Sequence, residues 1–201
     1  MSTPPAALRA GVLIGGLSRR MGRDKTRIEI AGESLALRVA SRLAPPAADA
    51  LLIGNRPPPE DARSLAQLAD LPGVSGPLAG ILAAFEHDPR AAWLIAAGDM
   101  PELTREAAIW LSEQRRENRW AVLPRLRERG VEPLFAIYEP KSRPLLEELA
   151  ASDRPAPSRL EDHARVAHPR VPDRFAAAWT NLNTPVQLER LLRREPGTGK
   201  T

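Results

Sequence analysis

Apolar runs of strand length alternate with longer stretches of helical period along most of the chain. Four to six consecutive apolar residues suit a strand buried on both faces, and apolar positions at three- and four-residue spacing suit a helix laid against it. The pattern predicts strands over residues 10–14, 50–53, 92–97, 120–123 and 133–138. The alternating stretch Arg27-Ile28-Glu29-Ile30 reads as a short edge strand ending in the turn Ala31-Gly32-Glu33. Ser34 is placed to cap a helix with Leu35, Val39 and Leu43 on one side, and Pro77 to open another that runs through Phe85. Thr104 caps a third helix carrying Ala107, Ala108 and Leu111, residues 141–151 form a fourth, and Thr184 caps a last one through Arg193. This alternation predicts an α/β fold: a single-domain, Rossmann-like three-layer sandwich with a mostly parallel central sheet. Residues 1–194 read as that domain and 195–201 as a disordered tail. The stretch 153–172, rich in Pro and Arg, shows no period.

Composition narrows the chemistry. The 201 residues include no Cys, which excludes disulfides, zinc–thiolate sites and thiol nucleophiles. His87, His163 and His168 are scattered, so a metal here is a hard cation held by oxygens, such as Mg²⁺. No run approaches the roughly 20 apolar residues of a membrane span. The first ten residues, with Pro4, Pro5 and a lone Arg9, lack the apolar region of a signal peptide. The expectation is a soluble, cytoplasmic protein with no membrane partner.

The net charge of +4 and a pI near 10.2 point to a polyanionic partner. Residues 19–27 hold Arg19, Arg20, Arg23, Lys25 and Arg27 against Asp24, a net of +5 − 1 = +4, which leaves 24 basic and 24 acidic residues elsewhere. A neutral body with one cationic loop favours a triphosphate over a nucleic acid. The 4% aromatic content and the lack of a Lys-rich stripe agree.

That loop follows the first strand: Leu13-Ile14-Gly15-Gly16-Leu17-Ser18-Arg19-Arg20-Met21-Gly22-Arg23-Asp24-Lys25. Paired glycines let backbone N–H groups turn toward an anion, and the flanking cations complete a polyphosphate site. The spacing fits neither G-x-G-x-x-G nor a P-loop. Gly199-Lys200-Thr201 looks like a P-loop end, but the required first glycine falls on Arg194. Asp99 closes a strand apolar on both faces, and Met100-Pro101 turns the chain there. One carboxylate at the C-terminal edge of a sheet is enough for Mg²⁺ when substrate phosphates fill the other positions. As plain structure Asp99 is a turn residue, and Asn181 and Asn183 make local turn bonds.

The loop resembles the L-A-G-G-x-S-x-R-M-G-x-D-K signature of molybdenum cofactor guanylyltransferases, with Ile14 in place of Ala. Gly54-Asn55-Arg56, Gly76-Pro77-Leu78-Ala79-Gly80, Gly98-Asp99-Met100-Pro101, 132–138 and Asn181-Leu182-Asn183-Thr184-Pro185 follow in the family's order, so the likeness spans roughly residues 10–192. The resemblance implies transfer of GMP from GTP to the phosphate of molybdopterin, with Mg²⁺ and release of pyrophosphate. It implies that Arg19 and Lys25 hold the β and γ phosphates and that Asp99 is the Mg²⁺ ligand, assisted by Asn183. It further implies that Leu13, Ile14 and Gly15, with Asn55 and Asp70, contact the nucleotide. Arg154, Arg159 and Arg165 are candidates for the acceptor's phosphate, although Asp153-Arg154-Pro155-Ala156 departs from the family's pattern. Molybdoenzyme apoproteins or their chaperones are implied partners. Two alternatives stay open: a cytidylyltransferase of the same fold, whose loop typically reads L-A-A-G, and a non-catalytic GTP-binding regulator.

Overall fold

The computed structural model describes residues 6–15, 24–127 and 129–194. The loop stretch 16–23, including Arg19, and the tail 195–201 lie outside the described residues.

The first strand, β1 (Leu8–Leu13), starts two residues earlier than its apolar run and stops one short of Ile14. A 3₁₀ turn over Lys25–Arg27 precedes a small antiparallel pair, β2 (Glu29–Ile30) and β3 (Glu33–Ser34). In α1 (Leu35–Leu43) the Ser34 hydroxyl accepts from Leu37 N–H at 3.3 Å, and Leu35, Val39 and Leu43 are all buried. Then come β4 (Ala50–Ile53), β5 (Gln67–Leu68), α2 (Pro77–His87) and β6 (Ala92–Ala97). Thr104 caps α3 (Arg105–Ser112) by accepting from Ala107 N–H at 3.2 Å. The remaining elements are β7 (Ala121–Val122), β8 (Arg125–Leu126), β9 (Gly130–Val131), β10 (Phe135–Tyr138), α4 (Arg143–Ala150), β11 (Val166–Ala167) and α5 (Pro185–Arg194).

Seven strands form the main sheet in the order β11-β7-β10-β6-β1-β4-β5. All pairings are parallel except those of β10, which runs against both β6 and β7. The expected three-layer α/β architecture is therefore present. One buried cluster joins α1 and α3 to one face, through residues such as Val12, Val39, Ala107 and Trp179. A second joins α2 and α4 to the other, through Ile53, Leu82, Trp93 and Leu146. Trp179 is fully buried, stacks on Phe135 at 4.5 Å, meets Trp110 edge-on at 5.8 Å and donates its indole N–H to the Phe135 carbonyl at 2.9 Å. Among the described residues no helix is long and apolar enough to cross a membrane.

The sequence pattern differs from the structure in a few places. The basic stretch after Pro124 is the hairpin β8–β9 (Gly130 has φ +79°), where a plain turn is expected. Pro133 and Leu134 precede β10, because proline cannot donate to a ladder. β5, β11 and the 3₁₀ segments at Pro157–Asp162 and Asp173–Trp179 give no signal: two-residue strands are too short for a period.

Candidate active site

The C-terminal ends of β1, β4, β5 and β6 lie side by side, and the loops leaving them form one edge of the molecule. Ile14 N–H donates to Ile53 O at 2.8 Å, Gly98 N–H to Leu13 O at 2.9 Å and Gly54 N–H to Leu68 O at 2.9 Å. The loops are thus laced together beyond the strands. They also approach closely: Gly54 sits at φ +147°, and a Cβ there would come within 2.8 Å of Gly15 N. Only glycine fits both conditions.

On the β6 side of this edge, Lys25, Asp99, Asn181 and Asn183 converge. Lys25 Nζ donates to Asp99 Oδ2 at 3.1 Å and to Asn183 Oδ1 at 2.9 Å, while Asn181 Nδ2 donates to Asp99 Oδ1 at 2.9 Å. Both asparagines therefore turn to one place, as their spacing in an extended segment allows. Two local devices hold them. Leu182 N–H donates to the Asp99 carbonyl at 2.8 Å, which fastens the Asn181–Asn183 segment to the end of β6. Leu182, Leu188 and Leu191 pack with Ile28, Ile30 and Leu35, so α5 is seated on the β2–β3 pair just beyond Lys25.

A further residue in this arrangement is Gln187, which lies outside the motifs singled out in the sequence. Its Oε1 accepts from Asn183 N–H at 2.7 Å and Thr184 N–H at 3.0 Å, while Thr184 Oγ1 accepts from Gln187 N–H at 3.2 Å. This is a capping box, and the Thr-x-x-Gln spacing that signals it is present in the sequence.

On the β4 and β5 side lies a cavity of about 420 Å³ lined by Gly15, Asn55, Asp70, Leu71, Pro72 and Val74 among others. That volume lies within the range of small-molecule sites. Asn55 Oδ1 accepts from Asp70 N–H at 3.1 Å, which ties two of the expected nucleotide contacts to each other. Burial raises the Asp70 carboxyl above its ordinary value of 3.8, against an opposing hydrogen bond from the Asn55 backbone. Of the Leu13–Gly15 segment, only Gly15 lines the cavity and is exposed; the Leu13 carbonyl and Ile14 N–H are taken up by the neighbouring loops.

A carboxyl pKa raised by folding means that the folded chain holds this proton more tightly than the unfolded one. Its contribution to stability is fully present below 3.8 and declines as pH rises through the folded value. Asp70→Asn is therefore expected to raise Tm modestly at pH 7, with the gain shrinking toward pH 3.8, as thermal unfolding across pH would show. The same substitution should weaken binding in the cavity.

The donors around Asp99 suit a hard divalent cation. They are the Asp99 carboxylate and the Asn183 amide oxygen, which meet at the Lys25 ammonium, while Asn181 turns its NH₂ to Asp99; no imidazole or thiolate is among them. Among the described residues no three or more His, Asp or Glu side chains cluster in a way that holds a metal by themselves. The fit is to a cation that draws its remaining ligands from phosphate and water.

Lys25 and Asp99 meet at the C-terminal edge of a mostly parallel sheet that also carries a pocket, an arrangement that suits a nucleotidyltransferase, and the chain is an enzyme of that class. It belongs to the MobA-like NTP transferase domain family, which it matches over residues 10–167. A probable molybdenum cofactor guanylyltransferase from Opitutus terrae is 40% identical over 143 residues, 69% of this chain and 69% of that protein. Another so named, from Natronomonas pharaonis, is 34% identical over 198 residues, 90% of this chain and 96% of the relative. The crystal structure of molybdopterin-guanine dinucleotide biosynthesis protein A from Archaeoglobus fulgidus superimposes with a TM-score of 0.72 at 23% identity, covering 92% of this chain and 97% of that one. That last likeness speaks to the fold.

Proposed function

We infer that this enzyme transfers GMP from GTP to the terminal phosphate of molybdopterin and releases pyrophosphate. The observation that carries the reading is the convergence of Lys25, Asp99, Asn181 and Asn183 beside a cavity ending in Asn55 and Asp70. The names of the relatives, molybdenum cofactor guanylyltransferase, support a guanylyl group and the molybdenum cofactor as the two reactants.

The reaction needs no protein nucleophile. An oxygen of the acceptor phosphate forms a new bond to the α-phosphorus, the bond from that phosphorus to the bridging oxygen breaks, and its electron pair leaves with pyrophosphate. Catalysis is then positioning and charge stabilisation. Lys25, with Arg19 from the preceding loop, holds the outer phosphates and stabilises the departing pyrophosphate. Asp99, assisted by Asn183, would hold Mg²⁺, and the ion would supply charge neutralisation at the phosphates. Gly15, Asn55 and Asp70 hold the nucleoside, and Leu13 and Ile14, bonded to Gly98 and Ile53, hold Gly15 in place. An ionised Asp70 only accepts hydrogen bonds, which suits the adjacent N–H donors on the edge of guanine.

The test is pyrophosphate release by the purified protein with molybdopterin, Mg²⁺ and either GTP or CTP. Turnover with GTP well above that with CTP is expected. A preference for CTP would move the enzyme to the cytidylyl branch, and nucleotide binding without turnover would make it a regulator.

A further inference from the structure

Asp24 and Arg56 belong to the motifs of this edge, yet neither holds substrate or metal in the reaction just described. Asp24 stands at the head of the 3₁₀ turn that carries Lys25. Its Oδ1 accepts from the N–H and the hydroxyl of Thr26, at 3.1 and 2.6 Å. Its other oxygen, Oδ2, lies 3.3 Å from Arg56 Nη1 and 3.8 Å from Arg27 Nε. Arg27 in turn donates through Nη2 to the carbonyls of Pro57 at 2.8 Å and Pro58 at 3.2 Å. The Lys25 turn is thus bound to the segment that leaves β4.

That segment is the one bearing Asn55. It is rigid on the cavity side as well: Gln67 Nε2 grips the carbonyls on either side of Asn55, those of Gly54 and Arg56, at 2.7 Å each. Pro57, Pro58 and Pro59 stiffen the chain beyond Arg56. A cap on the turn would need only one Asp24 oxygen, and Asn would serve as well as Asp. The second oxygen reaches across to Arg56 between side chains only 16% and 34% exposed, where screening is weaker than at an open surface.

We propose that Asp24 and Arg56 are positioning residues that link the nucleoside cavity to Lys25, so that a base held at Asn55 and Asp70 fixes Lys25 for the phosphates. The link rests on the proposed binding of GTP at this edge, and the test separates the two.

Mg-GTP and guanosine affinities are measured by calorimetry for the wild type, Arg56→Ala, Asp24→Asn, Lys25→Ala and the Arg56→Ala/Lys25→Ala double variant. Arg56→Ala and Asp24→Asn are each expected to weaken GTP about tenfold while guanosine stays within about twofold of wild type. In the Lys25→Ala background, Arg56→Ala should add less than about twofold, because the residue through which it acts is gone. Additive losses, or guanosine weakened as much as GTP, would overturn the link and leave a local structural role. A wild type that bound no GTP would overturn the nucleotide reading and the link with it. Asp24→Asn keeps the cap and the shape of the side chain, so it carries the test if Arg56→Ala unfolds.

Discussion

Asp99→Ala is expected to lower pyrophosphate release from GTP by about 100- to 1,000-fold, the scale seen when one preorganised electrostatic group is removed from a transition state. The fold should survive. The Asp99 carbonyl, which takes the Leu182 N–H, belongs to the backbone and is unaffected, and β6 ahead of it is buried along its whole length. The side chain is held by Lys25 and Asn181 alone among the described hydrogen bonds, so its loss frees Lys25 to pair with Asn183 only. Asp99→Asn separates charge from shape: it keeps the side chain's size and one acceptor oxygen, but loses the carboxylate and turns an NH₂ toward a donor, Lys25 or Asn181. Turnover should fall nearly as far in Asn as in Ala. Steady-state rates of both variants, with circular dichroism as the control for folding, decide the matter. Near-normal turnover in Asp99→Ala would remove this residue from the chemistry.

The largest effect on stability is expected at Trp179. Trp179→Ala removes a fully buried indole stacked on Phe135, met edge-on by Trp110 and hydrogen-bonded to the Phe135 carbonyl. Replacing a buried Trp by Ala costs about 3–5 kcal/mol, and at this chain length each kcal/mol lowers Tm by roughly 2–4 °C. The expected drop is about 10 °C, measurable by calorimetry. Trp179→Phe keeps the ring packing and loses the N–H bond, so it should fall between the two. A Tm within about 2 °C of wild type for Trp179→Ala would show that the 3₁₀ segment it ends is not part of the cooperative core.

The parts of this protein that are legible in its sequence are those governed by neighbours along the chain. Ser34 and Thr104 announce their helices because a cap acts on the next three residues, Pro77 because the first helical position needs no N–H, and 92–97 announces a central strand because six apolar residues in a row leave no face for water. Asp99 stands out for the same reason, as a charge placed where such a strand ends. The features that the sequence hides depend on partners far away. Asp24 and Arg56 are 32 positions apart, and nothing in either segment marks them as a pair. β5 and β11 exist because the edges of the sheet offer them a partner, not because two residues prefer to be extended. Gln187 is different. Its capping signal is local and readable, but only the fold reveals that the residue it holds is Asn183.

The span of the Lys25–Asn183 hydrogen bond has a consequence for synthesis. The two residues are 158 positions apart, and the strands between them can pair before the second has been made. A nascent chain that has released β1 through β11 carries every strand of the main sheet and the residues that line the cavity, but neither asparagine. Chains are synthesised at about 5–20 residues per second, so Asn183 follows β11 by on the order of a second. On the proposed mechanism the site is complete only once α5 is seated on the β2–β3 pair and Asn183 has reached Lys25.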